Sequence, residues 1–356
     1  MKIGSFEAER GEVTKGYIDL VSSPTGGTER APVMVARGEQ DGPVLWLTAN
    51  VHGNEVTGIP LIHRIVTDEL ADSIRGAVVG VVSLNPSGLR RTRRESEYDS
   101  RDPNRLFPDF RYDREPGSTQ EIINRRVFSE IADSADAVID LHCSNVGSVP
   151  FTILPRVIAE ESETDDAEEI ADEMKEMADA FGFTPINSPD METVWDECLH
   201  RSLGGSIVNS ARIPSITVEL GSDYIVESEV VDAAVKGVRN VMRRLGMFVD
   251  DEENQRTEPV DGIPAFDTDY PFRRCTVESP VSGILRKRVE TGEFVEEGDP
   301  ICEITDPFGE TKHVVEADVE GWVTAFQLGL GVEEGSRICY YAGRADGDTI
   351  VETYEP

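Results

Sequence analysis

The chain has 356 residues, with 69 acidic against 34 basic side chains, a net charge of −35 and a hydrophobic content of 38%. That length buries a large core and accommodates more than one domain, while so acidic a surface excludes nucleic acid and anionic membranes as partners. The acids run along the whole chain and only six lysines stand beside 28 arginines, a pattern that suits life at high salt, where a dense carboxylate surface stays hydrated and its self-repulsion is screened.

Charge begins at once, with Lys2 to Arg10, and no run reaches the ~18 apolar residues of a membrane span; the expected compartment is the cytoplasm. Strands are expected at 33–36 and 44–48, a helix at 56–70 and a β-branched strand at 77–84. A helix follows at 121–133, a buried strand at 137–141, a long acidic helix at 164–181, a strand at 215–220 and a closing helix at 229–245. Strands alternating with helices imply an α/β domain over 1–249, built on a mixed, mostly parallel sheet. Ligands gather at the carboxyl ends of such strands, where His52, Asn85, His142 and Glu219 fall.

The polar stretch 250–264, with Asp-Asp-Glu-Glu-Asn-Gln and two prolines, reads as a linker. Beyond it, 265–356 is β-rich, with short runs separated by glycine turns. This tail repeats itself. Val281-Ser282-Gly283-Ile284-Leu285 matches Val319-Glu320-Gly321-Trp322-Val323, and Val295-Glu296-Glu297-Gly298 matches Val332-Glu333-Glu334-Gly335, at offsets of 38 and 37. The pattern resembles the biotinyl/lipoyl barrel-sandwich fold. No suitably flanked lysine stands near Asp306-Pro307-Phe308-Gly309, and Lys287 and Lys312 are poor candidates, so an unmodified cap or oligomerisation domain is expected, which leaves a homo-oligomer open. The five cysteines form no CxxC pair, and small buried filler is their expected role.

Chemistry concentrates at two strand ends. Asn50-Val51-His52-Gly53-Asn54-Glu55 follows the apolar run 44–47, and Asp140-Leu141-His142 ends another. Two histidines and a glutamate are a known ligand set for a catalytic zinc that keeps its fourth position for water. An isolated HxxE reads instead as a polar strand end followed by a first-turn helix carboxylate, favourable toward the dipole. The second strand end and an arginine-rich segment, 85–107, weigh for the metal. Arg90, Arg91, Arg93, Arg94, Arg101 and Arg105 supply planar donor forks suited to an anionic substrate, with several of them free to pair with the acidic surface. His63 and His313 read as structural or exposed; His200 and Tyr224 are loop residues within reach of a pocket. Gly-x-Ser-x-Gly is absent, which weighs against a serine hydrolase.

His52-Gly53-Asn54-Glu55, Asn85-Pro86, Asp102-Pro103-Asn104-Arg105-Leu106-Phe107-Pro108, Asp140-Leu141-His142 and Thr217-Val218-Glu219-Leu220-Gly221 occur in that order. Together they resemble the succinylglutamate desuccinylase/aspartoacylase family, relatives of the zinc carboxypeptidases, over about residues 40–245. The resemblance implies one zinc ion on His52, Glu55 and His142, with Glu219 as general base and then acid. It also implies that Asn104 and Arg105 hold a substrate carboxylate and that Arg94 polarises the scissile carbonyl, with Arg91, Arg93 and Arg101 close by as rivals for that place. The family usually reads Asp-Leu-Asn-Arg, so Pro103 is a departure that fixes φ and removes a donor. The expected activity is hydrolysis of an amide or ester of a small N-acyl amino acid. The alternatives are carboxypeptidase-like peptide trimming and a metal-binding or scaffold protein without turnover.

Overall fold

The computed structural model of the chain describes residues 1–112, 114–266 and 271–354. Its frame is a twelve-stranded mixed sheet. The amino-terminal part supplies eight of the strands: β1 (Glu12–Ser22), β2 (Thr28–Arg37), β3 (Gln40–Ala49), β4 (Arg75–Val81), β5 (Ala137–Ser144), β6 (Phe151–Leu154), β7 (Pro185–Asn187) and β8 (Ser215–Ser222). At its centre β4, β3, β5 and β8 run parallel. β8 then pairs antiparallel with β6, and β6 parallel with β7.

Side chains alternate across β3 as a period of two requires. Leu45, Leu47 and Ala49 enter one core and Trp46 the other. Over the first face lie α1 (Gly58–Ile65), α2 (Asp68–Ser73), α5 (Thr164–Phe181) and α6 (Ser228–Arg244), through residues such as Leu61, Leu70, Met174 and Val238. On the opposite face α4 (Thr119–Ala132) packs through Ile123, Val127 and Ile131.

The helix expected at 56–70 is two helices. Thr67 takes an extended conformation between them and its hydroxyl accepts from Leu70 N–H, capping α2. α1 begins only at Gly58, so Glu55 sits in a turn ahead of the helix and not in its first turn. The strand expected at 77–84 runs from Arg75 to Val81 instead.

In the tail the strands are β9 (Phe272–Glu278), β10 (Gly283–Lys287), β11 (Phe294–Val295), β12 (Pro300–Thr305), β13 (Thr311–Glu316), β14 (Gly321–Phe326), β15 (Gly331–Val332) and β16 (Arg337–Arg344). The repeat is visible strand for strand, because β10, β11 and β12 correspond to β14, β15 and β16. The copies exchange partners: β11 of the first pairs with β14 of the second, and β15 of the second with β10 of the first. β9 joins β7 in parallel, and β16, β14 and β11 follow it, so the tail continues the central sheet. The other tail strands form a sheet of their own, ordered β13-β12-β10-β15. Leu285, Ile301, Val323 and Ile338 fill the tail core. A second cluster joins tail to body through Phe151, Ile186, Phe272 and the stacked pair Phe266 and Trp322.

The carboxy-terminal strand Val351–Thr353 returns to pair in parallel with Val157–Ala159. Beside it, buried Arg156 binds the Asp348 carboxylate at 3.0 Å and the Thr349 carbonyl. No helix among the described residues is long and apolar enough to cross a membrane.

Candidate active site

The turn after β3 is shaped by Asn50, whose φ of +61° lies in the left-handed region that asparagine tolerates. Its Nδ2 donates to the carbonyls of His52 and Glu55 at 3.0 and 2.9 Å, and its Oδ1 accepts from Ser83 Oγ at 2.6 Å. Glu55 N–H closes the turn on the His52 carbonyl at 3.0 Å. Gly53 is pressed against α3 (Pro86–Arg91), where a Cβ would overlap the backbone of Gly88 and Leu89. Asn85 caps α3 through Gly88 N–H, and its Nδ2 donates to the Val51 carbonyl at 3.1 Å.

The second strand end comes from sheet register. On adjoining parallel strands Thr48 lies level with Asp140, and His142 with Glu219. Glu55 Oε1 lies 2.6 Å from His52 Nδ1, and Oε2 lies 2.8 Å from His142 Nδ1. Both outer ring nitrogens are also held. His52 Nε2 is 2.9 Å from Asp102 Oδ1, and His142 Nε2 is 2.9 Å from Asp140 Oδ2. Asp140 in turn accepts from the Thr48 hydroxyl at 2.7 Å. Burial alone would push the Glu55 carboxyl up, yet the two imidazoles hold it well below the usual carboxylate range. Burial works against charge on His142 as well, and Asp140 and Glu55 overcome it, raising its pKa well above that of a free imidazole.

His52, Glu55 and His142 are all buried, and each can offer an atom within 4.8 Å of the others'. Two nitrogens and a carboxylate, with the far nitrogens anchored by further carboxylates, form a donor set that fits a divalent cation.

Glu219 faces this group from β8. Its Oε2 is buried without a hydrogen-bond partner among the described residues. Burial, the largest influence, pushes its carboxyl up; Glu55 adds to that, while His142, Arg274 and His52 oppose it.

Asp102 opens the one-turn 3-10 helix Pro103–Arg105 by accepting from Asn104 N–H at 2.8 Å. Pro103 occupies the first position of that turn, where a backbone N–H would have no partner within the helix. The departure from Asp-Leu-Asn-Arg therefore leaves the turn closed. Asn104 is tied by its Oδ1 to Leu203 N–H at 2.7 Å, with its Nδ2 3.4 Å from His142 Nε2. Arg105 donates to the Asn104 carbonyl at 2.8 Å. Among the four rival arginines the geometry separates one. Arg94 reaches Asp102 at 2.7 Å and Glu55 at 3.4 Å, whereas Arg91 pairs with Glu97 and Arg101 with Asp99. Arg93 is exposed and lies outside the pocket lining.

These residues open onto a pocket of about 420 Å³. The tail forms one wall of it, through Arg274, Thr276, Arg337 and Tyr340. Arg337 is bound to Glu197 at 2.5 Å, which fastens that wall to the body at the rim. His200 lines the pocket, buried beside Asp109. Tyr224 is exposed and outside the lining, while its neighbour Asp223 is part of it. His63 and His313 are exposed. Asp102 and Asp140 lie inside the sequence motifs with no role assigned to them there; the one local mark of Asp140 is its spacing, two residues before His142 on the same strand face. Nothing local marks Asp223 or the tail residues.

Residues 41–245 match the model of the Succinylglutamate desuccinylase/Aspartoacylase catalytic domain. The N-alpha-acetyl-L-2,4-diaminobutyric acid deacetylase of Halomonas elongata is 28% identical over 347 residues, covering 95% of this chain and 93% of the relative. A succinylglutamate desuccinylase/aspartoacylase from Rhodobacter sphaeroides superposes with a TM-score of 0.75 at 21% identity, covering 97% of this chain and 100% of that one. The product-bound ectoine utilization protein of Ruegeria pomeroyi gives a TM-score of 0.71 at 20% identity, covering 96% and 98%. At these identities the structural likeness speaks for the fold.

Proposed function

The chain belongs to the succinylglutamate desuccinylase/aspartoacylase family and is a hydrolytic deacylase, and on that premise we propose that it hydrolyses the amide of a small N-acyl amino acid with one zinc ion per chain. The observation that carries the reading is Glu219, level with His142 and with a buried carboxylate oxygen that has no hydrogen-bond partner among the described residues. The Halomonas relative, a deacetylase of N-alpha-acetyl-L-2,4-diaminobutyric acid, supports an acetylated amino acid as the substrate class.

His52, Glu55 and His142 would hold the metal, and their two nitrogens and one carboxylate favour zinc. Bound there, zinc would supply Lewis-acid polarisation of the acyl carbonyl and make a nearby water easier to deprotonate. The chain's own groups do the rest. Asp102 and Asp140 fix both imidazoles with Nδ1 inward. Glu219 takes a proton from water as it adds to the carbonyl, and burial, which raises its pKa, makes it a stronger base than an exposed carboxylate. The developing oxyanion is met by Arg94. Glu219 then returns the proton to the amine nitrogen as the C–N bond breaks, releasing a carboxylic acid and an amino acid. Asn104 and Arg105 hold the substrate's carboxylate.

In the same reading the body, 1–249, is carboxypeptidase-like, 250–264 is a linker that carries only the short helix Asp251–Asn254, and 265–356 is a barrel-sandwich module. The enzyme works in a cytoplasm rich in salt, and its free cysteines agree with a reducing compartment.

The test is Glu219→Gln, assayed on N-acetyl-L-2,4-diaminobutyrate, N-acetyl-L-aspartate, N-succinyl-L-glutamate and a set of dipeptides. We expect the wild type to prefer one N-acyl amino acid over every dipeptide. The variant should lose about 10³-fold in kcat while retaining its zinc by elemental analysis. Unchanged turnover in the variant would sink the mechanism, and a preference for dipeptides would favour peptide trimming.

A further inference from the structure

We infer that Arg274, carried by the tail, is a substrate-binding residue that works beside Arg105 on the substrate's carboxylate. The inference rests on the deacylase reading above. Five arginines line the pocket, and three of them are compensated. Arg94 is met by Asp102 and Glu55, Arg156 by Asp348 and Glu352, and Arg337 by Glu197.

The other two form no ion pair among the described residues. Arg105 gives one hydrogen bond to the Asn104 carbonyl. Arg274 lies over the ring of Tyr340, 5.3 Å from its centroid, and its guanidinium has no hydrogen bond or ion pair among the described residues. In a chain where acids outnumber bases two to one, a guanidinium without a carboxylate inside a pocket is a place kept for an anion. The aromatic face attracts the guanidinium without consuming its N–H donors, so its fork stays available for a carboxylate.

Strand geometry puts Arg274 there. β9 pairs with β16, Arg274 opposite Ala342 and Thr276 opposite Tyr340. Arg274 and Thr276 share a face and both line the pocket. Burial lowers the Arg105 pKa; Asp102 and Glu197 oppose that shift, while the charges of Arg94 and Arg274 add to it. An arriving carboxylate would relieve that repulsion.

The experiment compares the N-acyl amino acid that the wild type hydrolyses best with its C-terminal carboxamide. We expect amidation to raise the wild-type KM about ten-fold or more. In Arg274→Gln the KM for the carboxylate should rise about ten-fold with kcat within about three-fold, and the carboxylate-over-amide preference in kcat/KM should shrink by a similar factor. Arg274→Lys should restore part of that preference and serves as the test if the glutamine variant does not fold. Zinc content and melting temperature are measured on each. An unchanged preference would overturn the proposal. So would an equal loss of kcat on both compounds with an altered pH profile, because that reports a field on Glu219. A wild type inactive on every N-acyl amino acid would remove the deacylase reading itself, and this inference with it.

Discussion

Asp140 sits between Thr48 and His142, accepting from the first and facing the outer nitrogen of the second. Its charge favours a proton on His142 Nε2, so that the Nδ1 lone pair serves the proposed metal once the Nδ1 proton donated to Glu55 is displaced. Asparagine keeps the shape and a hydrogen-bond acceptor but loses the charge. Asp140→Asn should therefore weaken zinc binding about 10- to 100-fold, measured by competition with a chromogenic chelator, with the fold intact by circular dichroism. Equal affinity in the two proteins would remove Asp140 from the site. At this scale much was legible: the HxxE pair, Asp-Leu-His and Glu219 lie in local motifs, and sheet register brings them together. Arg274 was not, because its place depends on β9 docking against β7, and Asn187 and Arg273, the one register pair between them, leave no local pattern to read.

The loop from β3 to α1 works only because α3 can lie against it. Gly53 N–H donates to the Arg94 carbonyl at 3.3 Å, and Asn85 Nδ2 reaches both the Val51 and Arg94 carbonyls. The ligand turn and the arginine segment are thus one packed unit, and a methyl group at Gly53 would force them apart. Gly53→Ala should cost about 1–3 kcal/mol of stability by overpacking, measured by urea unfolding, and should lower zinc affinity as well. A variant as stable as the wild type, with normal zinc binding, would show that the contact is slack. The predicted single helix at 56–70 failed for a related reason. Its apolar period continues across the break, but the Thr67 hydroxyl offers a cap to Leu70 N–H and the chain turns there. Caps of that kind compete with helix continuation through one hydrogen bond, which periodicity does not register. Pro103 went the other way. A residue that removes a donor proved compatible with the turn because Asp102 caps it and the proline stands at the first position.

Across the whole molecule, the internal repeat announced the tail as a β unit, but not that four of its strands would extend the central sheet and wall the pocket. Charge acts at the same scale. Even if every basic side chain paired with one acid, 35 carboxylates would remain in excess. Their mutual repulsion destabilises the compact state and is screened over a distance of about 10 Å at 0.1 M salt and about 3 Å at 1 M. The core contacts gain little from KCl by comparison, so the balance between them should shift with ionic strength. We expect the melting temperature to rise by on the order of 10 °C between 0.1 and 2 M KCl, equivalent to roughly 7 kcal/mol for a chain of this size. Sucrose at matched osmolality, which leaves charge unscreened, should give a smaller rise. Screening acts on the substrate in the opposite sense, because Arg94, 42% exposed, shows that the pocket is open to solvent. KM for a carboxylate substrate should therefore climb over the same range in which the protein becomes more stable. A melting temperature indifferent to KCl would show that the excess carboxylates are spaced widely enough not to repel, and would remove the case for adaptation to salt.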